Sequence, residues 1–242
     1  MAVNKWCLAL LALVAAGSVQ AQTRNAQEVI GSNLAMPFTM RTVNFNEIGL
    51  AGSPYVLPGW VPGEVTLGSG KQLTTALVNY DAFERHVTVK NSPTDSVRYE
   101  GRLVQQLVLR PPGNVPALRF GHLPGLKTDV PALKTELLRI IHAGTYALIE
   151  LPARRFVPAS KMQPASNYAG PTALNDEFRD ESAYYLIRPD KTAERVKLTR
   201  KALITALQDK GEAFDTYLKT NRLDVKSEVD LARGLASLDV PK

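Results

Sequence analysis

The chain has 242 residues, with 29 Lys and Arg against 23 Asp and Glu for a formal net charge of +6, 45% hydrophobic residues and a single cysteine. That composition describes a globular domain with a proper core and excludes a disulfide-stapled scaffold. The basic excess is thinly spread, as on a solvated surface of mixed sign, and clustered Lys or Arg interleaved with an aromatic occurs only at Arg154-Arg155-Phe156, so nucleic-acid binding is not expected.

Residues 1–21 have the pattern of a secretory signal peptide. Lys5 supplies the positive start, Trp6 to Ala16 the apolar run, and Val19-Gln20-Ala21 the small-residue cleavage site. The run is shorter than the roughly 20 residues a bilayer span needs, so no transmembrane segment is expected after cleavage, and the destination is the periplasm or the exterior. Cys7 lies beside Lys5 and Trp6, outside the small-residue context of a lipoprotein cysteine. Removing 21 of the 242 residues leaves 221, one domain's worth, without the cysteine and so without disulfides or thiolate metal sites.

Residues 22–42 have no sustained period and carry Gly31, Ser32, Asn33 and Pro37, as expected of a loosely packed lead-in. Residues 43–198 form an expected antiparallel β-meander. Val65 and Leu67 alternate with Glu64 and Thr66, Gly68-Ser69-Gly70 breaks the run, and Leu77 to Tyr80 and Val87 to Val89 resume it. Further strands are expected at Ser96 to Glu100, Leu103 to Leu109 and Leu118 to Phe120, divided by Asn91-Ser92-Pro93, Gly101 and Pro111-Pro112-Gly113-Asn114. Breaks every 8 to 12 residues or so, with no helical crossover, are the mark of antiparallel pairing. Glu136 to Ile141 and Thr145 to Leu151 flank a hairpin at Gly144, and the first of them is apolar enough to be buried on both faces. Pro152 to Pro171 is expected to be a long surface loop, and Tyr184 to Arg188 with Arg195 to Leu198 a last hairpin.

Residues 199–242 change to helical spacing. Thr199 is a plausible N-cap, Ala202, Leu203, Ala206 and Leu207 form a first stripe, Phe214, Tyr217 and Leu218 a second, and Val229, Leu231, Ala232, Leu235 and Leu238 a third that starts from a capping box at Ser227. Such narrow stripes should lie on the sheet, with Leu138 and Ile140 beneath them and Lys201, Lys210, Lys219 and Arg222 facing solvent. The expected fold class is α+β: an antiparallel β-meander, sheet or half-barrel, packed against C-terminal helices.

Gly52-Ser53-Pro54-Tyr55, Trp60, Gly63-Glu64-Val65-Thr66-Leu67 with Gly70-Lys71, and Val78-Asn79-Tyr80-Asp81 resemble the opening of a family of uncharacterised secreted proteins from Gram-negative bacteria. The likeness continues in Leu137 to Leu148, Tyr184-Tyr185 and the lysine-rich Lys201 to Leu223, and departs at Leu238 to Lys242, where an aromatic-rich helix end is expected. The resemblance implies export and a shared fold, and no activity.

Signatures of chemistry are weak. Gly70-Lys71 does not make a phosphate loop, because the first glycine would fall at Val65 and the hydroxyl at Gln72. His86, His122 and His142 are far apart and lack a local ligand pairing; His86 shares a face with Thr88 and Lys90 and is expected to be exposed. No serine-nucleophile elbow exists, since Pro54 follows Ser53. Asp176-Glu177 and Asp180-Glu181 would share faces on a helical turn, though solvated loop charge is the simpler reading. Tyr55, Trp60, Tyr80, Phe83 and Tyr99 line a groove or, better, fill a core. No catalytic residue, metal or cofactor is assigned. The expected function is a non-enzymatic envelope or secreted module that binds a protein partner or small ligand. The alternatives are a hydrolase built on Asp176 to Glu181 with a histidine, and a lipid carrier with an apolar concavity in the half-barrel.

Overall fold

The structure is a computed structural model, and it describes residues 50–92, 94–159 and 175–239, with the backbone alone at 74–76. The signal-peptide and lead-in expectations, most of the proline-rich segment and the last three residues lie outside the described residues.

Ten strands form one antiparallel sheet: β2 (Val61–Leu67), β3 (Gln72–Asp81), β4 (His86–Lys90), β5 (Ser96–Glu100), β6 (Val104–Leu109), β7 (Leu118–Gly121), β8 (Leu138–His142), β9 (Ala147–Leu151), β12 (Ala183–Ile187) and β13 (Ala193–Val196). Their spatial order is β13-β12-β9-β8-β7-β6-β2-β3-β4-β5. With four short helices among the described residues, α1 (Ala132–Thr135), α2 (Arg200–Leu207), α3 (Gly211–Thr220) and α4 (Glu228–Ala236), the fold is α+β: a β-meander packed against C-terminal helices.

The sheet curls. β3 and β7 lie three strand spacings apart, about 14 Å in a flat sheet, yet the Tyr80 and Phe120 rings meet at a centroid distance of 5.7 Å. The trough so formed is filled by Val61, Val65, Val78, Tyr80, Val87, Val89, Val104, Leu107, Leu109 and Phe120, with Leu137 at its end. Gly63 permits the tightest approach: a Cβ there would stand 2.3 Å from Val78 Cγ1 and 2.5 Å from the Val108 carbonyl oxygen.

Past β7 the same face meets the helices. Leu148, Leu186 and Val196 pack with Leu203, Leu207, Phe214, Leu218, Leu231 and Leu235. Thr199 caps α2 by accepting from Ala202 N, and Ser227 caps α4 by accepting from Asp230 N. Lys201, Lys210, Lys219 and Arg222 are exposed. The residues beneath the helices are not Leu138 and Ile140. Leu138 points to the opposite face, into a third cluster with Leu126, Leu133, Ile149, Tyr185 and Ile187, and Arg139 and Ile141 face the helices instead. The register decides this, because Arg139 stands opposite Phe120 and must share its side of the sheet.

Two elements differ from the sequence reading. Arg154–Val157 is a strand, β10, not loop, and Asp176–Asp180 is a strand, β11, not the solvated loop expected there; with β1 (Leu50–Ala51) they form a separate three-stranded sheet in the order β1-β11-β10. Opposed charges hold it: Arg154 pairs with Asp180 at 2.7 Å, and Arg155 pairs with Glu181.

Because the helices bury Phe214 and Leu218 to 1% exposure or less, cutting the chain after Thr199 should leave an apolar sheet face in water. The expected product is insoluble, or binds ANS and lacks near-UV circular dichroism. A soluble, cooperatively unfolding fragment of near full-length stability would show the helices to be an appendage. In the trough, Gly63→Ala should lower the urea midpoint sharply, as one methyl group must displace both β3 and β6.

Candidate functional site

The three histidines are dispersed. His122 Nε2 bonds the Val104 carbonyl at 3.0 Å, and His142 Nε2 lies 2.9 Å from Asp239 Oδ2, whose other oxygen accepts from Thr145 N. That Asp239 clasp fills the space beside Gly144, where a Cβ would stand 2.0 Å from the carboxylate. His86 is half-buried on β4 rather than exposed, because the segment from Pro54 to Trp60 runs beside this end of β3 and Thr88, its neighbour on that face, is almost wholly buried. Among the described residues no three His, Cys, Asp or Glu side chains come together as a metal site. The carboxylates at 176 to 181 are engaged on β11: Asp176 accepts from Ala159 N at 2.8 Å, Glu177 pairs with Arg179 at 2.8 Å, and Asp180 and Glu181 pair with the β10 arginines.

The aromatics divide. Tyr80 is core, Tyr99 packs against that core, and Tyr55 and Trp60 touch at 5.5 Å with the Lys90 ammonium 4.4 Å over the indole. Phe83 leaves the group and meets Phe178 of β11 edge-on at 5.3 Å, with Phe156 beside it.

Two polar constellations went unnoticed in the sequence. The first joins sheet to helix. Arg139 on β8 donates Nε to Glu150 on β9 and its two terminal nitrogens to the two oxygens of Glu228 at the start of α4, while Tyr184 donates its hydroxyl to Glu228 at 3.2 Å. Arg139 and Glu150 are each 9% exposed. Burial works against the Arg139 charge, yet the hydrogen bonds and charges of Glu228 and Glu150 outweigh it and raise the guanidinium pKa above its ordinary value. Burial, then the Glu150 and Glu228 charges, push the Tyr184 phenol up to about 12. All of its members are partnered, so it serves as a clamp.

The second lies on the outer face of β3, β4 and β5. Asn79, Thr88 and Arg98 form one cross-strand row and Asp81, His86 and Glu100 the next, on the same side. Asn79 is spent holding the overlying segment, donating to the Leu57 and Gly59 carbonyls at 2.9 Å each. Asp81 Oδ1 accepts from Phe83 N and Glu84 N, and burial pushes its carboxyl above the ordinary carboxylate range against those two bonds. Arg98 gives Nη1 to Glu84 at 2.8 Å. Glu100 pairs with Arg102, while Thr88 Oγ1, His86 Nδ1 and the other side of the Arg98 guanidinium have no partner. Among the described residues, the buried side-chain polar atoms without a hydrogen-bond partner are the Tyr80 hydroxyl, Arg85 Nη1, His86 Nδ1, Thr88 Oγ1 and Arg98 Nε and Nη2; Tyr80 lies on the trough side and Arg85 Nη1 stands 3.5 Å from Glu136, and the other four share the outer face. Native structures satisfy nine in ten or so of such groups, and each exception calls for an explanation, whether strain, a catalytic role, or a bound water or ion.

The chain matches no family model, no curated protein and no solved structure.

The clamp gives two expected outcomes. Arg139→Ala leaves Glu150 buried and unpaired and should cost about 3–5 kcal/mol of stability by urea denaturation. For Tyr184 the folded phenol keeps its proton to about pH 12 while an unfolded one loses it near 10. The folded state therefore holds the proton more tightly, and that stability is whole below pH 10 and lost as pH rises toward 12. Between those pH values the wild-type urea midpoint should fall more steeply than that of Tyr184→Phe, and equal slopes would contradict the assignment.

Proposed function

We propose that the chain is an exported, non-enzymatic binding module that takes its ligand or partner on the outer face of β3, β4 and β5. The observation that carries this is that His86 Nδ1, Thr88 Oγ1 and Arg98 Nε and Nη2, four buried polar atoms without a hydrogen-bond partner, lie on that one face, at the opposite end of the sheet from the fully satisfied clamp. Leaving such groups unmade costs about 1–3 kcal/mol each, and a binding face is where that cost is recovered. The signal-like residues 1–21 and the resemblance to secreted proteins support export.

The hydrolase alternative draws less support: His142 is engaged by Asp239, His122 by a carbonyl and the carboxylates at 176 to 181 by arginines or a backbone amide, while His86 stands on β4, in a different sheet from those carboxylates. The lipid-carrier alternative needs an open apolar concavity, and the trough is filled by side chains such as Leu107, Leu109 and Phe120 at 1% exposure or less.

The test is differential capture. The wild-type chain and an R98A/T88V double variant, both shown folded by circular dichroism, are immobilised and exposed to the same envelope extract, and retained proteins and small molecules are identified by mass spectrometry. A species held by the wild type and lost from the variant is expected. Identical retention by the two, none included, would overturn the proposal.

A further inference from the structure

We infer that the orphaned groups on β4 and β5 form a site for a single carboxylate, with Arg98 as its anchor and Thr88 and His86 as its flanking contacts. This rests on the binding face proposed above and names the chemistry it takes. Thr88 and Arg98 are directly opposed in the β4–β5 ladder, so both side chains leave the sheet on one side, and His86, two residues along β4, leaves it there too.

The Arg98 contacts specify the ligand. Its Nη1 edge is taken by Glu84. The nitrogens left over, Nε and Nη2, both buried and unpartnered, carry the two N–H bonds that point the same way along the side of the guanidinium. That fork matches two oxygens of one carboxylate, and it is the geometry for which arginine is used in place of lysine. Thr88 is 2% exposed with Oγ1 unpartnered, so its hydroxyl is free to donate to an oxygen held in the fork, and His86 Nδ1 donates in the tautomer that places the proton there. One water oxygen has two lone pairs and cannot serve the fork, the hydroxyl and the imidazole together, whereas a carboxylate has about four acceptor positions.

The surrounding charge sets a limit on the ligand. Asp81 from β3 and Glu84 from the following turn face Arg98, and Lys90, further along β4 on the same face, sits over Trp60. Glu100 stands on the same side of β5 but is paired with Arg102, so Arg98 and Lys90 stand against Asp81 and Glu84. A singly charged ligand is compatible with that balance, while a phosphate or other polyanion would be repelled by Asp81 and Glu84. Burial of Thr88 adds a limit on size, favouring a short carboxylate or the end of a chain over a bulky one.

The experiment titrates the full chain, labelled with nitrogen-15, with sodium acetate at constant ionic strength set by sodium chloride, and follows the arginine Nε–H resonances. The Arg98 signal is assigned by its disappearance in R98K. Acetate should shift it saturably, and equimolar acetamide, neutral and of the same shape, and inorganic phosphate should not. Thr88→Val, which keeps the shape and removes the hydroxyl, should weaken acetate binding about tenfold. No saturable shift, an equal response to phosphate, or unchanged affinity in Thr88→Val would overturn the carboxylate site. If R98K does not fold, Arg98 is assigned through the backbone and the Thr88→Val comparison carries the test. A short peptide with a free C-terminus, run beside its amide, then identifies the source: displacement of acetate by the free acid alone means the end of a partner chain, and failure of both means a small molecule. Loss of the acetate result with the capture difference intact would remove the carboxylate and leave the binding face standing.

Discussion

One row of side chains crosses seven strands on a single face: Val65, Leu107, Phe120, Arg139, Glu150, Tyr184 and Val196, each opposite the next. The change from apolar to ionic at Arg139 is the constraint the architecture depends on. Up to Phe120 the row can be buried only if the sheet folds over on itself, and it does. Beyond it, buried charge needs a partner that a curled sheet does not offer, and Glu228 at the start of α4 supplies one. An arginine held between two carboxylates is a poor source of net stability, since its desolvation offsets most of the attraction. It is an effective source of register: moving β8 by one residue would put Arg139 into the third cluster beside Leu133 and Leu138 into the helices. The clamp therefore fixes where the trough ends and the helical layer begins.

How far the fold was legible in the sequence follows from which forces each element uses. Strands held by apolar alternation and glycine turns, from Val65 to Val89 and around Gly144, announce themselves, as do helices with stripes such as Leu203, Leu207, Phe214 and Leu218. β11 does not, because its sequence, Asp-Glu-Phe-Arg-Asp, forms a strand through cross-strand ion pairs with Arg154 and Arg155, and its one aromatic finds Phe83 and Phe156 only in three dimensions. Leu137, Leu138 and Arg139 show the limit of composition: burial on both faces was readable, but which residue faces the helices depends on pairing with a strand 18 residues or so upstream. His86 and Thr88 were misplaced for the same reason, since alternation along β4 identifies two faces and cannot say that both are covered.

The candidate site was the least legible part. Arg98 stands in Ser-Val-Arg-Tyr-Glu, an unremarkable edge strand, and Thr88 in an equally ordinary one. What marks them is their environment: a guanidinium with one edge satisfied and the other not, opposite a hydroxyl with nothing to bond. The sequence signal that could have pointed here is the run Asn79-Tyr80-Asp81, two polar residues around an aromatic in a strand that is otherwise apolar near its end, which implies a polar outer face under cover.

The two ends of the sheet thus treat buried polarity in opposite ways. At β8, β9 and β12 every member of the network has its partner, and the cost of burial is met inside the chain. At β3, β4 and β5 the sheet keeps Asp81 in a setting that raises its pKa and leaves the Arg98 fork, Thr88 and His86 Nδ1 unbonded. Local rules of folding are broken mainly at functional or strained sites, and the proposed binding face is such a place. Rigidity is what makes such incompleteness useful: Thr88 and Arg98 sit on paired strands backed by Val87, Val89 and Tyr99, so the fork and hydroxyl are held in place before anything binds. Because the core fixes them, a ligand on the proposed binding face would meet groups already ordered, and less of its binding energy would go into arranging the site.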